Sequence, residues 1–367
     1  MAIQHLVSRQ ISVVVPVKDN QRGIECFLQH FFDNVPSGDL PLEIIIVDDG
    51  SKGRLVIPDC NRNASTRIRL IRSPMNRNRA GARNLGVKLA HGDWILFVDS
   101  DCIPSANLIG GYLNAYDPRY AAYAGSTYSL ATDPLSRFYD SERVFIPPPT
   151  PDGKPLYLIT ANAMVCKEVL VQMNGFDETF FSGEDLDLSF RILSRHRIDY
   201  ALDSVVHHDM SDGFLGFVER FYRYGKGNRL LEDKYDNPQG EVRREAFKPF
   251  QRPAPSFDAS FNRLMAFVRY LCELWGYKSC SLRELHTGLG QYCLEGVEED
   301  DAGFLLSALA QEMESFINRG EPGFRDMPVP KIYGFSMLLL SLLGSNLPHL
   351  EEAITHRFMA LQPSLLR

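Results

Sequence analysis

The sequence lacks most of what would mark a secreted, membrane-spanning or nucleic-acid-binding chain. Its seven cysteines, at positions 26, 60, 102, 166, 272, 280 and 293, are odd in number, scattered and never spaced as C-x-x-C. That argues against a disulfide framework and against a zinc site, and favours a reducing, cytoplasmic setting. No long basic block is present and the net charge is −7, so neither nucleic acid as the main partner nor a polybasic membrane anchor is expected. The opening MAIQHLVSRQ carries no apolar h-region, and Met337 to Leu343 within GFSMLLLSLLG falls far short of the ~20 residues of a spanning helix. A soluble or at most peripheral protein is expected. There is no internal repeat and no low-complexity segment. With 367 residues the chain is long enough for one large domain with an extension, or for two domains.

What is present is an alternation. Ile11 to Val17 (ISVVVPV), Leu42 to Val47 (LEIIIV), Arg67 to Ile71 (RIRLI) and Trp94 to Val98 (WILFV) are short, β-branched, nearly continuous apolar runs, which read as strands buried on both faces. Helix-like stretches, Ile24 to Phe32 and Ala80 to Ala90, lie between them. Strand, helix and strand in repetition predict an α/β fold with a mostly parallel sheet, whose ligands bind beyond the carboxyl ends of the strands. Three of those ends are polar: Lys18-Asp19-Asn20, Asp48-Asp49-Gly50-Ser51 and Asp99-Ser100-Asp101. From Asn237 the character changes. A Pro-, Arg- and Glu-rich stretch to Pro255 reads as a linker, and the helical periodicity after it predicts a C-terminal helical module over 237–367, behind an α/β domain over 1–236. Its apolar stripes would dock within the chain, on a second subunit, or on a membrane surface through Phe335 to Leu343.

The polar strand ends carry the chemistry. Asp99 and Asp101, separated by Ser100, offer oxygen ligands to a hard divalent ion such as Mg²⁺ or Mn²⁺, which completes its shell with water and substrate phosphates. The plainer alternative is that they cap a helix near Ser105 to Tyr112. In VDDGS the adjacent acids could simply form a turn. They also suit a donor such as a nucleobase imide N–H or a ribose hydroxyl. Arg79 and Arg83 in NRAGARN open a helix, and guanidinium groups there form a phosphate-friendly corner or a solvated basic face. In GEDLDLSFRI, Glu184, Asp185 and Asp187 stand in the first turn of a helix, where the dipole alone favours acids, but where a carboxylate beside a crevice is also a good general base. Val205-Val206-His207-His208-Asp209 ends a further strand, and either histidine could complete a metal shell.

In this order VVVPVKDN, VDDGS, NRAGARNLG, FVDSDC, NGFDE, GEDLDLSFR and VVHHD followed by FYRYGKG resemble the family-2 glycosyltransferases of the GT-A fold, over about residues 11 to 230. The resemblance implies a Rossmann-like nucleotide-sugar-binding domain and inverting, metal-dependent transfer of a sugar from a nucleotide-sugar. It implies that the first motif (Pro16, Lys18, Asp19) helps hold the nucleotide, that Asp49 with Asp48 beside it meets the nucleobase, and that Asp99 with Ser100 approaches the ribose. Asp101 would bind Mg²⁺ or Mn²⁺, with Asp99, His207 or His208 as further ligands. Asp185 would be the base and Glu184 would orient substrate or loop. A UDP-sugar is the favoured donor, because the VDDGS acids suit a uracil N3–H. The acceptor would be a saccharide, a lipid-linked carrier or a peptide. Val17-Lys18 and Cys102 depart from the family's commoner Thr-Tyr and acidic residues. A nucleotidyltransferase would instead carry a glycine-rich loop after its first strand, a haloacid-dehalogenase-like phosphatase would carry D-x-D there, and a non-catalytic sugar-nucleotide binder would fail to hydrolyse donor.

Overall fold

The computed structural model describes residues 5–59, 65–210 and 213–235, together with 265, 269, 272 and 273. The chain divides into two units, Met1–Thr132 with Tyr139–Ser211, and Asp133–Phe138 with Asp212–Arg367. Apart from those four positions, the C-terminal module expected over 237–367 lies outside the described residues.

The first unit is built on one sheet. Strands β1 (Ile11–Val17), β2 (Glu43–Asp48), β3 (Arg67–Arg72) and β4 (Trp94–Val98) are joined by helices α1 (Gln21–Asn34) and α2 (Asn78–Leu89). They pair in parallel in the order β3-β2-β1-β4. β5 (Cys102–Pro104), β6 (Ala122–Ser129), β7 (Asn162–Cys166) and β8 (Ile198–His208) extend the sheet as β4-β7-β6-β8-β5. β7 runs antiparallel to both β4 and β6, β8 is parallel to β6, and β5 closes the edge antiparallel to β8. Helices α3 (Leu108–Ala115), α5 (Lys167–Gln172) and α6 (Glu184–Leu193) complete this unit, and α4 (Pro134–Ser141) has its first five residues in the second unit and its last three in the first. The fold is therefore α/β with a largely parallel sheet, and β1, β2 and β4 are the buried strands expected.

Alternation along β1 explains the two-sided core. Val13, Val15 and Val17 pack with Ile24, Phe27, Leu28 and Phe31 of α1. Val14 faces the other way, toward Ala80, Ala82 and Val87 of α2, as the two-residue period of a strand requires. Helix α2 lies close because its sheet-facing positions are small: a Cβ at Gly86 would sit 2.4 Å from Val14 Cγ1. β3 differs from the expectation of burial on both faces. It is half-exposed along its length, because it forms the outer edge of the sheet. β1 lies between β2 and β4, so the first and third connections leave in opposite directions. This topological switch point opens a crevice at the carboxyl ends of β1 and β4, where Asn20 Nδ2 reaches Ser100 Oγ at 3.5 Å.

In the second unit α7 (Gly213–Tyr235) buries Phe217, Phe221 and Tyr222, with Phe217 and Phe221 edge to face at 4.6 Å. The FYRYGKG motif lies in this helix. At Gly225 any side chain would collide with the backbone of Glu273.

Candidate active site

The loops after β1 and β2 are laced together. Asp19, in the left-handed region at φ 53°, receives Lys52 N–H on Oδ1 at 2.7 Å and donates its own N–H to Ser51 Oγ at 2.8 Å. Buried Asp48 accepts Ser51 N–H at 2.9 Å and lies 3.6 Å from Arg72, so its carboxylate shapes the turn. Asp49 accepts Arg77 N–H at 2.6 Å. Burial pushes its carboxyl up, and the Arg77 hydrogen bond and Lys18 only partly offset this. Pro16 is inside β1, opposite Val47, while Lys18, Arg77 and Arg79 are exposed at the rim. Among the described residues these three cationic side chains make no hydrogen bond or ion pair.

Arg83 does something else. It is nearly sealed, at 2% exposure, with Nη2 2.9 Å from Asp99 Oδ1 and Nη1 2.7 Å from Glu184 Oε1. Its guanidinium lies over the Phe176 ring at 5.7 Å, and Phe176 meets Phe97 of β4 edge-on at 5.2 Å. The helix-opening arginine expected to face phosphate is thus turned inward. It shares the buried stripe of α2 with Ala80 and Val87 at i, i+3, i+7 spacing, and a buried cation requires acid partners. Burial opposes ionisation of Asp99, yet Arg83 and Arg79 hold its carboxyl below the usual range. The next residue, Asn84, accepts Phe176 N–H at 2.8 Å and donates to Phe176 O at 2.9 Å and to Glu178 at 3.1 Å. NGFDE is therefore a turn, with Asn174 and Gly175 both at positive φ, clamped by α2 and delivering the chain to α6.

The three acids of α6 have three fates. Asp187 is fully buried and bonded by Arg191 at 2.6 and 2.9 Å, and Arg191 also holds the Gly175 carbonyl at 2.8 Å, so it belongs to the frame. Glu184, expected to orient substrate or loop, is buried against Arg83. Asp185 remains half-buried, and among the described residues its carboxylate is held by backbone N–H groups alone, those of Leu186 at 3.0 Å and Thr160 at 3.3 Å. Burial first, then the neighbouring Glu184, push its carboxyl up to about 7, with Arg83 pulling the other way.

At the end of β8 the side chains alternate. His208 pairs opposite Cys102 and turns toward Asp101, whereas His207, between Ile103 and Tyr128, lies on the opposite face. His208 and Asp101 are brought together and His207 is not. His208 Nδ1 is 2.9 Å from the Asp209 carbonyl, its ring stacks on Phe145 at 5.6 Å, and Nε2 is 3.3 Å from Asp101 Oδ1. A carbonyl only accepts, so Nδ1 carries a proton, and in the neutral imidazole Nε2 would turn a lone pair toward the carboxylate oxygen. That Oδ1 is itself buried with no hydrogen-bond donor. Two acceptors facing each other, with the histidine fixed by a carbonyl behind it, suit a divalent cation between them. Cys102 Sγ lies in the same cluster, but burial keeps its thiol protonated, and a soft sulfur is a poor ligand for Mg²⁺ or Mn²⁺. Asp99 and Asp101 cap no helix: α3 starts at Leu108, after Asn107.

Sequence reasoning missed the roles of Arg83, Asn84, Phe176 and Thr160. Only the apolar stripe around Arg83 gave a signal. The segment over residues 142–161 is tied to β8 by Lys154 with Asp199 at 2.7 Å.

The glycosyl transferase family 2 model matches residues 12–172. Over 228 residues the chain is 29% identical to the pre-mycofactocin glycosyltransferase of Mycobacterium tuberculosis (strain CDC 1551 / Oshkosh), covering 59% of this chain and 46% of that protein. It is 26% identical over 200 residues to an uncharacterized glycosyltransferase of Haemophilus influenzae, covering 50% and 62%. The chain spans about half the length of the curated relatives it matches. A solved structure of the mannosyltransferase PcManGT from Pyrobaculum calidifontis, in complex with GDP-Man and Mn²⁺, aligns with TM-score 0.48 and 15% identity over 94% of this chain and 89% of that one. No helix among the described residues is long and apolar enough to cross a membrane. The motif-bearing strand ends of β1, β2 and β4 all lie inside residues 12–172, the segment that matches the glycosyl transferase family 2 model.

Proposed function

We propose that the chain transfers a sugar from a nucleotide-sugar, preferentially a UDP-sugar, to an acceptor hydroxyl with inversion at the anomeric carbon. One observation carries this reading: a single line of contacts runs from Asp99, beside Asp101, through Arg83 to Glu184, next to Asp185. A donor-side acid pair and an acceptor-side base are thereby parts of one rigid group, as a single displacement requires.

In this reading Asp49 accepts the imide N–H of a pyrimidine, and Asp99 and Ser100 meet the ribose. Arg79, exposed and close enough for its charge to act on Asp99 and Asp101, meets the diphosphate. Asp101 and His208 would hold Mg²⁺ or Mn²⁺, which when bound offsets charge on the departing diphosphate. Asp185 accepts the proton of the acceptor hydroxyl as that oxygen bonds to C1, and the C1–O bond to the diphosphate breaks. A carboxyl that titrates near 7 is matched to this task at neutral pH. No covalent sugar on the protein is formed.

The acceptor is a saccharide, lipid-linked or peptide hydroxyl. A relative 34% identical over 99 residues is named a dolichyl-phosphate beta-glucosyltransferase, so lipid phosphates join the acceptor panel. The test is incubation of the full chain with UDP-, GDP- and dTDP-sugars and Mn²⁺, following nucleoside diphosphate release. UDP-sugar consumption is expected, and inertness toward the whole panel would refute the proposal.

A further inference from the structure

We propose that Arg83 is a positioning residue for transfer, a buried clamp that holds the donor-side strand end at Asp99 and the acceptor-side helix start at Glu184 in fixed register. This rests on the reading of Asp185 as the base. The geometry goes beyond an ordinary buried ion pair. The two acids come from separate segments, the end of β4 and the start of α6, and one planar guanidinium spans both, at 2.9 and 2.7 Å. Its ring-side position is fixed by Phe176, which is bonded through its backbone to the adjacent Asn84. Its Nε has no partner although buried, a cost accepted where only a forked cation reaches both acids. Lysine, a point charge on a flexible stem, cannot reproduce the fork.

The clamp also governs the charge seen by Asp185. The groups acting on that carboxyl are Glu184 on its own helix, Arg83 from α2, and the N–H groups of Thr160 and Leu186. Removing Arg83 leaves Glu184 unopposed, whereas neutralising Glu184 leaves Arg83 in excess. The two changes must therefore move the ionisation of Asp185 in opposite directions, which loss of packing alone would not do.

The experiment is a ¹³C-carboxyl NMR titration of Asp185 in the full chain, assigned by difference with Asp185→Asn. Arg83→Gln, Glu184→Gln, the double variant and Arg83→Lys are compared with the wild type, each first checked for a cooperative melt. The double variant keeps the pair neutral if Arg83→Gln alone fails to fold. The midpoint is expected near 7 in the wild type, about one unit higher in Arg83→Gln, about one unit lower in Glu184→Gln, and in between in the double variant. Arg83→Lys should titrate close to wild type yet lose roughly 10-fold or more in transfer, the scale of a small misplacement of reacting groups. An unmoved midpoint in a folded Arg83→Gln or in Glu184→Gln, or full transfer by Arg83→Lys, would overturn the clamp. Shifted midpoints in a protein that consumes no nucleotide-sugar would leave the clamp standing and refute the proposed function instead.

Discussion

His208 Nε2 faces Asp101 Oδ1 at 3.3 Å while its Nδ1 is committed to the Asp209 carbonyl. The histidine ending β8 and the second acid after β4 thus face each other with no hydrogen-bond donor to Asp101 Oδ1 among the described residues, an arrangement that either a proton on Nε2 or a divalent cation would satisfy.

The first prediction is metal binding at this pair. Calorimetry with Mn²⁺ and nucleotide should show affinity falling by about 10-fold or more in Asp101→Asn and in His208→Gln. His207→Gln, on the opposite face of β8, should bind as the wild type does. Equal loss in the two histidine variants would show that strand alternation does not sort them. EDTA should abolish turnover.

The second prediction concerns pH. Asp185 must be ionised to take a proton, and its carboxyl is held up to about 7. The logarithm of kcat/KM should therefore rise with pH at a slope near one below this value and level off above it. Asp185→Asn should lower turnover by roughly 10²-fold or more while leaving nucleotide affinity nearly unchanged. A profile flat from pH 5 to 8 would move the base elsewhere.

The same group predicts a trade of stability for activity. A folded-state value above the unfolded carboxylate value means that the folded chain holds the extra proton between about pH 4 and 7, so stability falls as pH rises through that window. Asp185→Asn removes the penalty. Its melting temperature should match wild type near pH 4 and exceed it at pH 8, with the difference growing in between. A variant less stable at pH 8 would contradict this sign.

Asp187 gives the contrasting case. Its carboxylate is fully buried and doubly bonded by Arg191, so Asp187→Ala leaves a cation without its partner and should cost about 3 kcal/mol of stability. Transfer per folded molecule, measured below the melting transition, should stay within a few-fold of wild type. A stable but inactive variant would give Asp187 a part in the chemistry.

Much of the frame was legible because it is written locally. β1 and β4 appear as uninterrupted apolar runs with the bounds read from sequence, and the acids of FVDSDC and GEDLDL stand where a strand ends and a helix begins. What escaped depends on distance. Arg83 and Glu184 are separated by 101 positions, and beyond the stripe that Arg83 shares with Ala80 and Val87 nothing near it says whether it faces phosphate or a buried acid. The choice between His207 and His208 needed the pairing of β8 with β5 and β6. The exposure of β3 depends on its place at the sheet edge, which its own residues RIRLIR only hint at. β7, running against its neighbours, follows from the connection through residues 130–161, whose composition does not announce a reversal.

The central claim, inverting transfer from a nucleotide-sugar with Asp185 as base, is tested most directly by following the anomeric proton by ¹H NMR. The full chain is incubated with an α-linked UDP-sugar and Mn²⁺, with water as the acceptor. The account predicts that the β-anomer of the free sugar appears first, before mutarotation, and that Asp185→Asn slows its appearance by roughly 10²-fold. First appearance of the α-anomer, or an unchanged rate in Asp185→Asn, would contradict it.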